Sequence, residues 1–192
     1  MRKQIPESRQ PRMGSGELAP CWQKPTGGKL KFNVDGAWVS RSDGLAEAGA
    51  GIVARDSNGS FVAARSLNLG VVGTPLCAEA MVWRAAFDFA ILLGLDSLVM
   101  EGDSQQLVRC IRGEIACSTE VEVVVEDVRR LRNLVRECEV VFVRRSANGV
   151  ADALAKHGLR GSGVRTWEAR PPDWLFSPLG KDNRLISCTG VL

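Results

Sequence analysis

Apolar and polar residues alternate in three successive segments of the N-terminal half, which is typical of strands with one buried face. The first is KLKFNVDGAWV, beginning at Lys29, and the other two lie within AGAGIVARDSNGSFVAARSLNL. The dipeptide Asn58-Gly59 between the second and third segments is a strong hairpin signal. Small residues at 49–51 indicate close packing against a neighbouring element. The pattern predicts three strands, the last two joined by a tight turn.

The segment GTPLCAEAMVWRAAFDFAILLGL has the helical pattern, with apolar residues at three- and four-residue steps. Thr74 is the predicted cap, Pro75 suits the first turn and Gly94 can end the helix. SLVMEG then reads as a short buried strand. SQQLVRCIRG reads as a short helix closed by Gly113.

The segment STEVEVVVEDVRRLRNLV has features of both a strand and a helix. Its valines favour a strand, but helical spacing is kept by Val121, Val124, Val125, Val128 and Leu131. We predict a helix capped by Ser118 or Thr119, followed by a strand in CEVVFVRR and a helix in ANGVADALAKHGLR. The order β-β-β-α-β-α-α-β-α predicts an α/β fold, a mixed five-stranded sheet flanked by helices.

Composition divides the chain into three parts. Residues 1–28 are rich in Pro, Gly and charge and predict a flexible basic leader. Residues 29–160 form the predicted domain. Residues 161–192 predict a Pro- and Gly-rich, loosely ordered tail, whose Trp167, Trp174 and Phe176 are expected to pack back on the body.

The chain has 192 residues, 45% of them hydrophobic and 24% charged, as in soluble globular proteins. No apolar stretch approaches the roughly 20 residues that span a bilayer, and the N-terminus lacks a secretory signal. We therefore expect an intracellular protein, in the nucleus or cytoplasm, without a membrane partner. Scattered cysteines and a single histidine, His157, argue against a zinc site and against disulfides.

Basic charge is concentrated at the N-terminus. Residues 1–31 hold seven Lys or Arg and two Glu, within a net charge of +3 for the whole chain. Such an arm suits contact with a polyanion. A solvated leader explains it equally well.

Four carboxylates stand in places where a structural role is not obvious: Asp35 in the first strand, Glu79 between alanines of the main helix, Asp103 where a buried strand ends, and Asp152 in the opening turn of the last helix. Each has an ordinary explanation taken singly. Asp103 can cap a helix, Glu79 and Asp152 can favour a helix N-terminus, and Asp35-Gly36 can mark a bulge.

Taken together, the four acids indicate a cation site. If the first and fourth strands are neighbours, Asp35 and Asp103 approach each other, and helix starts bring Glu79 and Asp152 alongside. Clustered carboxylates repel unless they are protonated or bridged by cations. Mg²⁺, which prefers oxygen ligands, is the natural partner.

The segments NVDGAW, AGAGIVARDSNGSFVAA, CAEAMVWRAAFDFAILLGL, MEGDSQQLV and RRSANGVADALAKHG resemble the type 1 ribonuclease H domain. More narrowly, they are similar to the plant reverse-transcriptase-like form found alone and in non-LTR retroelements. The resemblance runs from about Lys29 to Arg160, and the order and context of all four acids agree.

The resemblance implies a metal-dependent endonuclease that cuts the RNA strand of an RNA/DNA hybrid with two Mg²⁺ ions, which Mn²⁺ can replace. Asp35 would bridge both ions, Glu79 and Asp103 would hold the ion on the leaving-group side, and Asp152 would complete the ion that activates water. The products would carry 5′-phosphate and 3′-hydroxyl ends. We expect a monomer whose partner is nucleic acid.

The resemblance also places nucleic-acid contacts. Ser104, Gln105 and Asn148 match positions that touch the hybrid in its minor groove, where the 2′-hydroxyl distinguishes RNA from DNA. Gly36, beside Asp35, is also expected to contact the nucleic acid. Arg145, with its neighbour Arg144, suits phosphates, although a solvated strand end explains both arginines equally well.

One position departs from the family pattern. Many members have a histidine ten residues before the last acid, and here that position is Phe142. The loss predicts a slow enzyme that still cleaves. Two alternatives stay open: a domesticated retroelement-derived nucleic-acid-binding module with little or no catalysis, and a retroelement fragment with no cellular role.

Overall fold

The computed structural model describes residues 21–189, with side chains as far as Asp182. Most of the predicted basic leader, residues 1–20, lies outside the described residues. A mixed sheet in the order β5-β4-β1-β2-β3-β6 forms the centre. Its strands are β1 (Leu30–Ser40), β2 (Ala46–Arg55), β3 (Phe61–Val71), β4 (Ser97–Gly102), β5 (Glu137–Phe142) and β6 (Val164–Glu168). The hairpins β1–β2–β3 are antiparallel, and β4 and β5 run parallel to β1.

Helices cover both faces of the sheet. They are α1 (Pro75–Leu92), α2 (Gln105–Arg112), α3 (Glu122–Arg132), α4 (Gly149–Arg160) and α5 (Phe176–Thr189). The main apolar core lies between the sheet and α1, α2 and α3, and it includes Phe32, Val34 and Trp83. A smaller core lies on the other face beneath α4 and α5. Among the described residues, no helix is both long and apolar enough to cross a membrane.

Local sequence signals account for several element ends. The hydroxyl of Thr74 accepts a hydrogen bond from the Cys77 amide and caps α1, as predicted. Gly59, in the β2–β3 turn, and Gly113, at the end of α2, both have positive φ, a conformation that favours glycine. The predicted hairpin and the predicted end of α2 are therefore confirmed.

The predicted cap of α3 is wrong. Neither Ser118 nor Thr119 occupies the N-cap position, which falls on Val121 and has no side-chain cap. The carbonyl of Ser118 instead accepts the amides of Val121 and Glu122. The preceding turn thus satisfies these donors with backbone, so no polar side chain is needed at the helix start.

The sheet has six strands, not the predicted five, because part of the predicted tail joins it. Residues of β6 pair antiparallel with β3 at the edge of the sheet. The Pro- and Gly-rich surroundings of this five-residue strand concealed its pattern. The aromatic rings of the tail do pack back: Trp174 stacks on His157 with centroids 4.7 Å apart, and Trp167 meets both rings edge-on. Phe176 remains half exposed.

The sequence placed the start of the ordered domain at Lys29, but ordered packing begins earlier in the chain. The Trp22 side chain is fully buried and donates a hydrogen bond to Asn33 Oδ1 over 2.8 Å. The guanidinium of Arg55 lies 3.6 Å from the centre of the Trp22 ring. It donates to Asn33 Oδ1 over 2.9 Å and to Asp182 Oδ2, in α5, over 2.7 Å. This Arg55 network therefore joins both ends of the described chain to the sheet.

Helix α4 lies unusually close to β2 because glycines replace side chains there. A Cβ added to Gly51 would lie 2.1 Å from the Ala151 carbonyl oxygen, and one added to Gly49 would lie 2.2 Å from the Leu159 amide nitrogen. The close packing predicted from the small residues at 49–51 is confirmed for both glycines. This contact fixes the helix that carries Asp152.

We expect Gly51→Ala to lower the free energy of unfolding by about 1–3 kcal/mol, because the added methyl group overpacks the β2–α4 contact. Urea denaturation measures the change. Gly73→Ala is the matched control, since a Cβ there meets nothing within 4 Å and the φ is not positive. Equal stabilities for the two variants would contradict the tight contact.

Candidate metal and nucleic-acid site

Two acids meet because β1 and β4 are parallel neighbours. Val34 pairs with Gly102, so the next residues, Asp35 and Asp103, come side by side. The Asp35 backbone pairs regularly with Gly51, and the bulge considered at Asp35-Gly36 is absent. Asp103 does not cap α2 either, because Ser104 fills that role. Neither acid therefore has the ordinary structural role that the sequence allowed.

Glu79 reaches this pair from α1. Its neighbours Ala78 and Ala80 are fully buried, so the helix sits close to the sheet. The Gly36 amide donates to Glu79 Oε1 over 3.3 Å. A Cβ on Gly36 would lie 3.3 Å from both Glu79 Cδ and the Glu79 backbone nitrogen, so the carboxylate or the helix would have to shift slightly. Gly36 thus leaves room for the acid and fixes one of its oxygens.

Asp35, Glu79 and Asp103 form a three-acid cluster, in which one carboxylate oxygen from each lies within 4.8 Å of the others. Burial, then the charges of Asp103 and Asp152, raises the pKa of Asp35 to about 8. Burial, then the charges of Asp35 and Asp103, raises the pKa of Glu79 to about 8. Without a cation, the folded protein therefore keeps protons on these two acids near neutral pH, because neighbouring buried carboxylates resist ionising together.

The donor set of the three-acid cluster fits a divalent cation. Glu79 Oε2 is buried and accepts no hydrogen bond from the described residues, which is costly unless another partner fills the position. Carboxylate oxygens are the ligands that Mg²⁺ prefers. The cluster is consistent with the divalent metal site that the sequence predicted.

Asp152 lies in the same cleft but outside the three-acid cluster. Its Oδ1 accepts from Arg145 Nη2 over 3.2 Å, and its Oδ2 accepts from Lys156 Nζ over 2.6 Å. The start of α4 is fixed beside β1 because Asn148 Nδ2 donates to the Val34 carbonyl over 2.8 Å. The fourth predicted acid is thus placed near the others and paired with two cations.

The four acids line an open cleft of about 460 Å³. Its polar side is completed by Arg145 and Lys156. Its other wall is largely apolar and is lined by Gly36, Ala37, Trp38, Val39, Pro75 and Leu159. A cleft that combines carboxylates, cations and an apolar wall suits a ligand with sugar, base and phosphate parts.

The residues predicted to contact nucleic acid differ in their burial and in their hydrogen bonding. Gln105 is exposed at the start of α2, and the Ser104 hydroxyl, half buried, accepts the Leu107 amide. Asn148 is buried, and its Oδ1 has no hydrogen-bond partner among the described residues. The Arg145 side chain is 75% exposed. Gly36 lies between Asp35 and Glu79, as described above.

Lys156 and the apolar wall were missed at the sequence level. Lys156 is four residues after Asp152, the spacing at which helical side chains of opposite charge meet, so its pairing was open to prediction. The wall was not, because Trp38, Pro75 and Leu159 come from three separate elements.

Phe142 ends β5, paired with Gly102 next to Asp103, and is 37% exposed. The position of the family's histidine therefore presents an aromatic ring without a titratable group. Such a ring cannot transfer a proton.

The fold and the three-acid cluster together define the class of this protein, an α/β domain of the ribonuclease H-like fold. The chain matches the reverse transcriptase-like family over residues 33–158 and belongs to that family. Among curated proteins, none matches the chain.

Solved structures of ribonucleases H share this fold. RNase H1 from the halophilic archaeon Halobacterium salinarum is 28% identical with a TM-score of 0.63, and the match covers 69% of this chain and 98% of that one. The N-terminal RNase H domain of a Mycobacterium tuberculosis protein is 25% identical with a TM-score of 0.61, over 69% and 94% of the two chains. LC11-RNase H1, solved in complex with an RNA/DNA hybrid, is 20% identical with a TM-score of 0.61, over 68% and 96%.

Proposed function

We propose that this protein is a metal-dependent endonuclease that cleaves the RNA strand of RNA/DNA hybrids. The observation that carries the proposal is the three-acid cluster, whose carboxylates form no ion pair with a cation of the described residues and which opens into a cleft. The similarity to solved RNases H1, one of them bound to an RNA/DNA hybrid, supports the substrate. Mg²⁺ is the proposed cofactor, and Mn²⁺ would replace it.

Each acid has a proposed role. Asp35, Glu79 and Asp103 would hold one cation, and Asp152 with Asp35 would complete a second. Bound divalent cations would stabilise charge on the attacking and leaving oxygens of the scissile phosphate. The rigid sheet keeps Asp35 and Asp103 in place before a cation binds, which reduces the reorganisation that binding requires.

Nucleic-acid contacts are proposed for groups at the rim of the cleft. The exposed guanidinium of Arg145 is placed to meet a phosphate. Ser104 and Gln105, at the start of α2, would face the minor groove, where a 2′-hydroxyl marks the RNA strand. Gly36 leaves space for the strand beside Asp35. Asn148 would act mainly by fixing the start of α4 through Val34.

The test is cleavage of an end-labelled RNA strand paired with DNA, in Mg²⁺ and separately in Mn²⁺, beside single-stranded and duplex RNA. We expect hybrid-specific cutting that Asp103→Asn reduces at least about a thousandfold, because the variant removes a charged cation ligand. Glu120→Gln, which changes an exposed glutamate that forms no ion pair within the described part of the chain, is the matched control and should cut normally.

The same experiment separates the second candidate function, a nucleic-acid-binding module with little or no catalysis, which the phenylalanine at position 142 favours. Intact hybrid after incubation in either metal, together with retained binding of that hybrid, would establish the module. Cutting that Asp103→Asn leaves unchanged would show a contaminating nuclease and overturn the proposal.

A further inference from the structure

The acid outside the three-acid cluster has counter-ions from the protein itself. Both carboxylate oxygens of Asp152 are engaged, one by Arg145 and the other by Lys156. The Lys156 contact, at 2.6 Å, is the shorter of the two. The Asp152 side chain is 21% exposed, whereas that of Lys156 is 53% exposed. The mostly buried Asp152 side chain is thus paired with two cationic side chains that are more exposed than it is.

The backbone positions of this pair are fixed. Helix α4 lies against β2 through the glycine contacts, and the Ser66 hydroxyl of β3 donates to the Leu154 carbonyl over 2.9 Å. Asp152 and Lys156 are four residues apart on this helix, so their side chains share one face. The ammonium group is therefore kept within reach of this carboxylate.

A cation that binds Asp152 must compete with Lys156. Both Asp152 oxygens already accept from a cationic side chain, and Lys156 makes the shorter contact, so a metal ion at this carboxylate meets like charge. At the three-acid cluster, by contrast, no Lys or Arg of the described residues pairs with a carboxylate, and Glu79 Oε2 has no hydrogen-bond partner among them. The two halves of the site therefore differ in their readiness to accept a divalent ion.

We propose that Lys156 is a positioning residue that makes the two cation positions unequal. The first ion binds the three-acid cluster, and the second binds only by displacing the Lys156 ammonium from Asp152. The inference rests on the proposed function in one respect, that the acids bind divalent cations. It does not depend on which nucleic acid is cut.

The test is titration of Mn²⁺ into the metal-free full chain, with free Mn²⁺ measured by electron paramagnetic resonance. Wild type is compared with Lys156→Met, Lys156→Gln and Lys156→Arg. Arg160→Met is the matched control, since Arg160 is an exposed cation of the same helix and forms no ion pair with any residue that the structure describes. Urea denaturation of each variant checks that it folds.

We expect wild type to bind one Mn²⁺ tightly and a second weakly. Lys156→Met and Lys156→Gln should strengthen the second binding by roughly three- to tenfold, the scale of a partly exposed ion pair, and leave the first unchanged. Lys156→Arg and Arg160→Met should match wild type. If hybrid cleavage is present, its half-maximal Mn²⁺ concentration should fall in the first two variants.

The outcomes separate this inference from the proposed function. An unchanged second affinity in both Lys156→Met and Lys156→Gln, with the first ion still bound, would overturn the inference alone. A weakened first ion in these variants would also overturn it, by showing that Lys156 supports the three-acid cluster. Absence of any Mn²⁺ binding in wild type would overturn both proposals.

Discussion

Replacing Asp182 with alanine is expected to lower the free energy of unfolding by about 3–5 kcal/mol, because it leaves a buried guanidinium without its carboxylate. Arg55 is only 1% exposed, and its Nη1 donates to Asp182 Oδ2 over 2.7 Å. Arg55 Nε already lacks a hydrogen-bond partner among the described residues. The freed Nη1 would remain buried between α5 and the sheet.

The pair itself contributes little compared with an apolar replacement. Burial lowers the pKa of Arg55 and, outweighing the opposing effect of the Arg55 charge, raises the pKa of Asp182 above its usual value. For each of the two side chains, the cost of desolvating its charge therefore exceeds its attraction to the partner charge. We expect the double variant Arg55→Met with Asp182→Leu to recover most of the lost stability.

Urea denaturation of the three proteins measures these effects. The matched control is Asp173→Ala, which breaks the exposed pair between Arg170 and Asp173 and should cost no more than about 1 kcal/mol. Equal losses for Asp182→Ala and Asp173→Ala would show that α5 is not held through Arg55.

In the absence of divalent cations, Asp35→Asn is expected to be more stable than the parent by about 3 kcal/mol at pH 9. Asp35 is 4% exposed and lies against Asp103. At this pH the parent must fold with its carboxylates ionised and unneutralised. Each pKa unit corresponds to about 1.4 kcal/mol, and relaxation of the site reduces the full penalty.

The direction of the pH dependence follows from proton uptake. Between about pH 4 and pH 8 the folded protein keeps protons on Asp35 and Glu79, whose pKa values are raised to about 8, while the unfolded chain has released them. The free energy of unfolding of the metal-free parent therefore falls as pH rises through this window and levels above it. The advantage of Asp35→Asn should be small near pH 4 and complete above pH 8.

Urea denaturation at pH 5, 7 and 9 with a chelator tests the prediction, and Glu120→Gln serves as the control that should track the parent. Millimolar Mg²⁺ should reverse the order at pH 9, since the cation stabilises only the protein that binds it. A parent whose stability is flat from pH 5 to pH 9 would contradict the raised pKa values.

The sequence predicted that these acids lie close together, because their positions depend on adjacent secondary structure. Asp35 and Asp103 follow paired residues of two parallel strands. Identifying the two strands and assuming that they are neighbours in the sheet was therefore enough to predict that the two acids meet. Glu79 required only that its alanine neighbours let α1 approach the sheet. These are local patterns joined by one topological assumption.

Features that depend on distant partners were not predicted. Trp22 is an isolated aromatic residue in a polar segment, and nothing nearby in the sequence indicates that Arg55 packs on its ring. Strand β6 is five residues long and becomes a strand only because the edge of β3 is available. Long-range pairing, rather than local propensity, decides both.

The Arg55 network also sets where the protein can be cut. The family match spans residues 33–158, which excludes Trp22 at one end and Asp182 at the other. A fragment trimmed to those limits would remove two of the three partners of Arg55, leaving only Asn33, and would uncover the buried guanidinium. A fragment must therefore keep both Trp22 and Asp182, and the failure of a shorter one would say nothing about the intact protein.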